Sequence, residues 1–370
     1  MKTLRIAVVG AGHLGRFHAR LLKPIEGLEL VGVVDPHEPA RTALAAELGL
    51  SSWADLADIP GRLDAAVLAA PTCWHHRLGL RLLERGVHLL VEKPLATTAA
   101  EAEELVDAAQ KSGLVLQVGH VERFNPAFQA AAAHLDQPKY IEAARLSGYS
   151  FRSTDIGVVL DLMIHDLDLV LALVDAPLRS VAACGATILG GHEDVANARL
   201  QFASGTVATL SASRASFVAR RTMQVWTPRI FAGLDFATRG VTLVRPTPDL
   251  VAGGLAATGE LTPERRDHLK QHLFEELLPI ERFEAPPTNA IADELADFVD
   301  SIRNLRRPRV SGEDGCRAVT VAEQVLKCIT EHSWTPGLAP QPADSHALRG
   351  PHWTRRPSGL PEGQRRREAG

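Results

Sequence analysis

Short β-branched apolar runs alternate with stretches of helical periodicity over about the first third of the chain. Strands are predicted at Leu4–Val9, Leu28–Val34, Ala65–Ala69, Val87–Val91 and Leu114–Val118. Helices are predicted between them, at His13–Leu22, Pro39–Leu48, His75–Arg85 and Thr98–Lys111. This alternation is typical of βαβ units, so residues 1–121 are predicted to form an α/β domain around a doubly wound parallel sheet.

The pattern of apolar and polar positions changes after Gly119. The pattern predicts a helix near Pro126–His134, a strand at Lys139–Leu146 and helices near Val158–Val174, Ala290–Asn304 and Gly312–Thr330. Between Val181 and Val244, strand-like runs are joined by glycine turns, with no helix long enough for a parallel crossover. Residues 122–335 are therefore predicted to form an α+β domain with an open, mostly antiparallel sheet. The active site is expected in the cleft between the two domains.

Composition narrows the class of protein. A chain of 370 residues usually needs more than one core, and a net charge of −4 gives no basic field for nucleic acid. Charged residues interrupt the most apolar segment, which argues against membrane insertion. Four scattered cysteines without a CxxC pair indicate reduced thiols and a cytoplasmic location, with neither a disulfide framework nor a zinc site. Residues 336–370 are rich in proline and arginine and are predicted to be a disordered tail.

A GxGxxG motif lies between the first predicted strand and the first predicted helix, a context in which it can hold a pyrophosphate on backbone amides and the positive helix end. The turn comprises Gly10, Gly12, His13, Leu14 and Gly15. Asp35 ends the second strand, where its carboxylate suits the ribose hydroxyls of NAD and would repel a 2′-phosphate. Arg41 lies nearby and leaves NADP open. The alternative interpretation is a simple packing turn.

The turn after the strand Ala65–Ala69 also lies at the edge where ligands meet a parallel sheet. Pro71 stiffens this turn, and Thr72 offers a hydroxyl or its backbone. His75 and His76 are assigned to shaping the cofactor site, although histidines at a helix start are more often structural. Pro71, Thr72 and His75 are therefore cofactor-binding candidates.

Two further segments supply groups for hydride chemistry. Lys93 follows Glu92 at the end of a strand, so it emerges at the edge of the glycine turn, where Glu92 can orient it near the cofactor. A lysine near a cationic nicotinamide can polarise a carbinol oxygen or exchange a proton with it. Asp161 and His165 are four residues apart on one helix face, so Asp161 can orient an imidazole that takes the hydroxyl proton.

Other interpretations of these residues stay open. Taken alone, Lys93 would be a surface charge, and Asp161 with His165 would be a buried pair without catalytic duty. A metal site is the third alternative, but no cysteine or second histidine is placed to complete a shell, so no metal is expected.

Together the motifs resemble the Gfo/Idh/MocA oxidoreductase family. The resemblance rests on GAGHLG at 10–15, PTxxH at 71–75, EKP at 92–94 and DxxxH at 161–165, and it covers roughly residues 4–332. It implies a Rossmann domain followed by a mixed-sheet domain that often supports homo-oligomers, here a dimer or tetramer. It also implies that Lys93, Asp161 and His165 act at a sugar hydroxyl.

A narrower likeness, to the bacterial UDP-N-acetylglucosamine 3-dehydrogenases of that family, lies in GHVERFNP at 119–126 and in RSTD at 152–155. It implies NAD-dependent oxidation of a 3-hydroxyl, with the ketone then aminated by a PLP-dependent transaminase toward a 2,3-diamino sugar for lipid A. Guanidinium groups suit a diphosphate, and hydroxyl or amide groups suit a sugar. The candidate substrate-binding residues are Lys93, Arg123, Asn125, Arg152, Ser153, Thr154, Asp161 and His165. The alternative for each arginine is a surface ion pair.

The sequence thus predicts an NAD-dependent dehydrogenase of a nucleotide sugar, with His165 as the base and Lys93 binding the oxygen, although the two roles can be exchanged. One alternative substrate is a free polyol or aldose such as an inositol. A rival of another class is a non-catalytic NAD sensor or scaffold, which would need only the cofactor site.

Overall fold

A six-stranded parallel sheet is formed within residues 4–119, here called the first half of the molecule, in the computed structural model that describes residues 3–151 and 155–332. The strands are β1 Leu4–Val9, β2 Leu28–Val34, β3 Ser51–Trp53, β4 Ala65–Leu68, β5 His88–Glu92 and β6 Leu116–Gly119. The helices are α1 His13–Leu22, α2 Glu38–Leu48, α3 His75–Glu84 and α4 Ala99–Lys111. The strand order β3-β2-β1-β4-β5-β6 confirms the predicted doubly wound sheet. The order reverses between β1 and β4, where such sheets bind ligands.

The second half forms an eight-stranded sheet of order β14-β13-β12-β11-β7-β10-β9-β8. Its strands are β7 Tyr140–Leu146, β8 Leu178–Ala186, β9 Val195–Phe202, β10 Val207–Ser213, β11 Arg220–Trp226, β12 Phe231–Asp235, β13 Gly240–Val244 and β14 Ile280–Glu284. Its helices are α5 Pro126–Ala132, α6 Ile164–Leu173, α7 Pro248–Gly253, α8 Pro263–Glu276, α9 Ala290–Asn304 and α10 Gly312–Glu331. A π-helical turn, Val159–Met163, leads into α6.

The predicted mostly antiparallel sheet is confirmed. Only β7 and β10 pair in parallel among its described strands. Between these two strands the chain runs through α6 and the β8–β9 hairpin, so α6 supplies the helix of the crossover. Burial alternates along β9, where Ala198 and Leu200 are buried and Arg199 is exposed, as expected for a sheet covered on one face.

Helix α9 returns to the first half of the molecule. Its apolar side chains Leu295, Phe298 and Ile302 belong to the same buried cluster as Ile6 and Val8 of β1. The next segment also joins that half, because the Val118 amide donates to the Val310 carbonyl at 3.0 Å. The predicted boundary between residues 121 and 122 stays a prediction, and the two halves share core residues across it.

No helix in the described ranges combines the length and apolarity needed to cross a bilayer.

We expect Phe298→Ala to lower the free energy of unfolding by about 3–5 kcal/mol, because the fully buried ring leaves a cavity between α9 and the parallel sheet. Denaturant unfolding followed by fluorescence measures the loss. Phe274→Ala on α8 is the matched control, since that ring is 53% exposed and its removal is expected to have little effect. Equal losses in the two variants would contradict this account of the α9 contact.

Candidate active site

The candidate site lies at the carboxyl edge of the parallel sheet. The glycine turn follows β1, Pro71 and Thr72 follow β4, Lys93 follows β5, and His120 follows β6. Because all these strands are parallel, their C-terminal ends meet at one edge, which brings segments distant in sequence together.

At two positions of the glycine turn the surrounding backbone leaves no room for a side chain. A third position faces open space. Gly10 has φ +106°, and a Cβ there would lie 2.4 Å from the Ala69 carbonyl oxygen. A Cβ at Gly15 would lie 1.9 Å from the Gly10 carbonyl oxygen. At Gly12, by contrast, a Cβ would meet no protein atom within 4 Å. This open space beside the start of α1, where His13 and Leu14 are exposed, fits the pyrophosphate of a dinucleotide.

Asp35 ties the end of β2 to this turn. Its Oδ2 accepts a hydrogen bond from the Ala11 amide at 2.7 Å, and its Oδ1 accepts one from the His37 amide at 2.8 Å. A carboxylate has further lone pairs, so these bonds leave capacity for ribose hydroxyls. Arg41 donates to the backbone carbonyls of Asp35 and Pro36, at 3.4 and 3.2 Å. Its guanidinium is thus already partly engaged by the protein.

His75 joins two loops of the site. Its ring nitrogens lie 2.8 Å from the carbonyl oxygens of Pro94 and Ala70, which connects the loop after β5 to the loop after β4. Burial lowers the pKa of His75 below its usual value, and the two carbonyl contacts partly oppose that shift. His76 turns away and lies 2.7 Å from the Glu104 carboxylate on α4. The two predicted cofactor-shaping histidines therefore face different surroundings.

Lys93 bridges the two halves of the molecule. Its Nζ donates to the Asp161 carbonyl oxygen at 2.6 Å and to Asp161 Oδ1 at 3.2 Å. The π-helical turn that carries Asp161 is held by Glu193, whose Oε1 accepts from the Val159 amide at 3.0 Å. π-Helical turns of this kind are frequent at functional sites.

His165 is placed to act as a neutral base. Its Nδ1 is buried and has no hydrogen-bond partner among the described residues, whereas the Asp161 carboxylate accepts a hydrogen bond from Lys93. Burial lowers the pKa of His165 well below its usual value, and the nearby charges of Lys93 and Arg145 lower it further. A neutral imidazole can take a proton from a hydroxyl group.

His120 is a site residue to which the sequence assigned no role. It is fully buried, and its ring centroid lies 6.4 Å from that of His165 in an edge-to-face arrangement. Neither of its ring nitrogens has a hydrogen-bond partner within the described ranges. Its position directly after β6, at the edge shared with Lys93, is the signal that would have identified it.

A buried ion cluster supports the helix behind His165. Arg145 donates to Asp166 Oδ1 at 2.8 Å and to Glu122 Oε1 at 2.7 Å. The two carboxylates raise the pKa of Arg145 despite its burial. Since one turn of α6 carries both Asp166 and His165, this cluster fixes the imidazole relative to β7.

Two predicted substrate-binding residues make protein contacts here. Arg123 donates from two nitrogens to Asp168, at 2.7 and 3.0 Å. The Asn125 amide nitrogen donates to Glu122 at 3.0 Å, and its oxygen accepts from the Ala127 amide at the start of α5. The other three candidates, Arg152, Ser153 and Thr154, lie outside the described residues, as does the predicted tail at 336–370.

Comparisons with known proteins agree with this geometry. Residues 4–120 match the oxidoreductase family with an NAD-binding Rossmann fold, Gfo/Idh/MocA, and residues 128–228 match the C-terminal domain of that family. A UDP-N-acetylglucosamine 3-dehydrogenase of Acidithiobacillus ferrooxidans is 33% identical over 327 residues, which cover 88% of this chain and 97% of that protein. A solved structure of that organism's UDP-N-acetylglucosamine 3-dehydrogenase GnnA has a TM-score of 0.77 and 32% identity, covering 89% of this chain and 98% of that one.

A more distant relative is the scyllo-inositol 2-dehydrogenase (NAD(+)) of Bacillus subtilis, 30% identical over 58% of this chain and 68% of that protein. The fold, the glycine turn and these matches define an oxidoreductase with an NAD-binding Rossmann domain. The chain belongs to the Gfo/Idh/MocA family, which confirms the resemblance found in the sequence motifs.

Gly12→Ala is expected to weaken NAD binding at least tenfold while leaving the free energy of unfolding within about 1 kcal/mol of its original value. The added methyl group meets no protein atom and occupies space for the pyrophosphate. Isothermal titration with NAD and thermal unfolding without NAD separate the two quantities.

Gly10→Ala is the matched comparison in the same turn. It is expected to destabilise the apoprotein, because a residue with positive φ would bring its Cβ against the Ala69 carbonyl. Unchanged NAD affinity in Gly12→Ala would show that the dinucleotide does not approach this turn.

Proposed function

We propose that this protein is an NAD-dependent sugar dehydrogenase that oxidises the 3-hydroxyl of UDP-N-acetylglucosamine to the 3-keto sugar nucleotide. The observation that carries the proposal is the pairing of Lys93 with Asp161 beside a neutral His165, at the edge that carries the glycine turn. A non-catalytic NAD sensor, the rival class, would have no use for this arrangement. The similarity to the A. ferrooxidans enzyme supports the choice of substrate.

The chemistry follows from the charges in the site. NAD bound over the glycine turn supplies the hydride acceptor. Neutral His165 takes the proton of the substrate hydroxyl, and the Lys93 ammonium donates a hydrogen bond to the same oxygen, which stabilises negative charge as the carbonyl forms. Asp161 holds the ammonium group in place. The reverse assignment, with Lys93 as the base, uses the same contacts.

We assign NAD rather than NADP as the preferred cofactor. The Asp35 carboxylate lies at the end of β2 and would repel a 2′-phosphate, while Arg41 already donates to two backbone carbonyls. Glu92, Pro71, Thr72 and His75 then shape the site around the nicotinamide half of the cofactor.

Arg123 and Asn125 already satisfy protein partners, so a diphosphate would have to compete with Asp168 for the Arg123 guanidinium. Arg152, Ser153 and Thr154 remain the proposed contacts to the diphosphate and the sugar.

The solvent-facing side of the eight-stranded sheet carries an aromatic group, Tyr140, Trp226 and Phe231, with neighbouring ring centroids 5.1 and 5.0 Å apart. Such a face suits a homo-oligomer, a dimer or tetramer. A ketone product calls for a PLP-dependent transaminase as the next enzyme, in the cytoplasm, toward a diamino sugar for lipid A.

The second candidate function is oxidation of a free polyol such as an inositol. The similarity to the B. subtilis scyllo-inositol dehydrogenase favours it. Such a substrate would need only the Lys93 and His165 region, without a diphosphate contact.

The substrate assay follows NADH absorbance with NAD and UDP-N-acetylglucosamine, with glutamate and a sugar-nucleotide transaminase present to remove the ketone. Lys93→Met and His165→Asn are each expected to lower kcat/KM by about 10²- to 10⁴-fold, because each removes a group from the reacting oxygen. The exposed residues Lys327 and His134 provide matched controls, Lys327→Met and His134→Asn, which are expected to keep full activity. Turnover of scyllo-inositol without turnover of the nucleotide sugar would favour the second candidate.

The pH dependence of kcat/KM tests the identity of the base. His165 has a lowered pKa in the free enzyme, so activity is retained until the pH falls below that value. The acid limb is therefore expected below about pH 6.5, the ordinary imidazole pKa. An acid limb at or above this value in steady-state profiles would argue against His165 as the base.

A further inference from the structure

A second cluster of ionisable groups adjoins Lys93 through the neighbouring residue Glu92. It consists of His18 on α1, Glu92 at the end of β5 and Glu294 on α9, all buried. One nitrogen or oxygen from each residue lies within 4.8 Å of the others. The cluster thus joins the helix of the glycine turn, the strand that carries Lys93 and the helix that returns from the second half.

Glu92 connects this cluster to the active site. Its Oε1 lies 2.6 Å from His18 Nε2, and its Oε2 accepts a hydrogen bond from the Lys93 backbone amide at 3.2 Å. The position of the Lys93 backbone therefore depends on where the Glu92 carboxylate sits.

Glu294 brings an ionisable carboxyl group into the protein interior. It is fully buried, and neither of its carboxylate oxygens has a hydrogen-bond partner among the described residues. The neighbouring Gln117 amide donates to the Glu294 backbone carbonyl at 2.9 Å, so it leaves the side chain alone. Two ionised carboxylates this close, away from water, would repel each other strongly.

We propose that His18, Glu92 and Glu294 form a proton-binding site in which Glu294 is a neutral carboxylic acid within 4.8 Å of the His18 and Glu92 side-chain atoms. One negative charge then remains on Glu92, where His18 and the Lys93 amide stabilise it. If Glu294 ionised, repulsion would displace Glu92 and with it the Lys93 backbone. Glu294 is in this sense a positioning residue for Lys93, a role that rests on the proposed function, whereas the proton site itself does not.

The surroundings of Glu92 and Glu294 shift the pKa values of the two carboxyl groups in opposite directions. Burial raises the pKa of Glu294 well above its usual value, and the carboxylates of Glu92 and Asp297 raise it further. Although burial opposes ionisation of Glu92, its hydrogen bond with His18 and the nearby Lys93 ammonium together lower its pKa. Pairs whose surroundings separate their pKa values in this way hold one proton between them.

A metal ion is the other occupant for which two glutamates and a histidine are suited. Two ligands of a tetrahedral zinc ion are separated by roughly 3.3 Å at metal–ligand distances near 2.0–2.1 Å. The observed 2.6 Å between His18 and Glu92 is a hydrogen-bond length instead. The geometry thus favours a proton over a metal.

Infrared difference spectroscopy of the full-length protein without substrate tests the proton directly. At neutral pH we expect the carbonyl stretch of a neutral carboxylic acid, above the amide I band, which disappears in Glu294→Gln and remains in the exposed control Glu323→Gln. Absence of this band from the unaltered protein would overturn the proposal. A stoichiometric divalent metal in the unaltered protein that is lost in Glu294→Gln would overturn it as well.

Unfolding equilibria give an independent readout. Above about pH 4.5 the unfolded chain releases the Glu294 proton while the folded chain keeps it, so this group loses stabilising effect as pH rises toward its folded pKa. Relative to Glu294→Gln, the equilibrium constant for folding of the unaltered protein is expected to fall by about tenfold per pH unit between the unfolded and the folded pKa of Glu294. Parallel pH dependences in the two proteins would overturn the proposal.

The link to Lys93 is tested by activity. Glu294→Ala is expected to lower kcat by up to about 10²-fold through displacement of Lys93, with Glu294→Gln restoring most of the loss because it keeps shape and neutrality. Failure of Glu294→Gln to rescue kcat would overturn the positioning role. The infrared and unfolding results need no substrate, so a wrong substrate assignment leaves them unaffected.

Discussion

The hydrogen bonds from Lys93 to Asp161 join the edge of the parallel sheet to the second half of the chain. Lys93 is fixed from one side by the pairing of β5 within the parallel sheet and by the Glu92 carboxylate. Asp161 is fixed from the other side by a π-helical turn that Glu193 anchors. The cleft between the halves is therefore held at a fixed separation at the point where we propose that a hydroxyl group reacts. Dehydrogenation needs such a constraint because small displacements of reacting groups reduce rates strongly.

The first half of the chain could be predicted closely from its sequence because its physical signals are local. Apolar runs of four to seven residues alternate with amphipathic helices, and β1, α1 and β2 have the predicted bounds. The strand β3 escaped prediction because Ser51–Trp53 is three residues long and has no apolar run. In the second half, the helices α7 and α8 and the strand β14 also escaped prediction. Helix α8 is largely exposed and lacks a strong apolar face, so periodicity gives no clear signal there.

The site was predictable to the extent that its residues belong to motifs, which is the case for the glycine turn, Lys93, Asp161 and His165. The pairing within it was not, because the i, i+4 spacing of Asp161 and His165 suggested that these two would interact. The lysine that takes the carboxylate instead comes from a segment 68 residues away. The same limit applies to Arg123: its residue type suits a diphosphate, yet its bidentate bond to Asp168 depends on tertiary structure alone. His120 and Glu294 matter because they are buried with unpaired polar atoms, a property that spacing does not reveal.

The insertion of α9 into the core of the first half bears on how such enzymes can be recombined. Phe298 and Leu295 pack into the buried cluster that contains Ile6 and Val8 of the parallel sheet. A chimera that exchanges the dinucleotide-binding half at residue 121 would therefore pair a foreign α9 with a core to which it is not matched. Exchanges that carry α9 together with the first half keep this packing, so the segments that build this core are discontinuous in the chain.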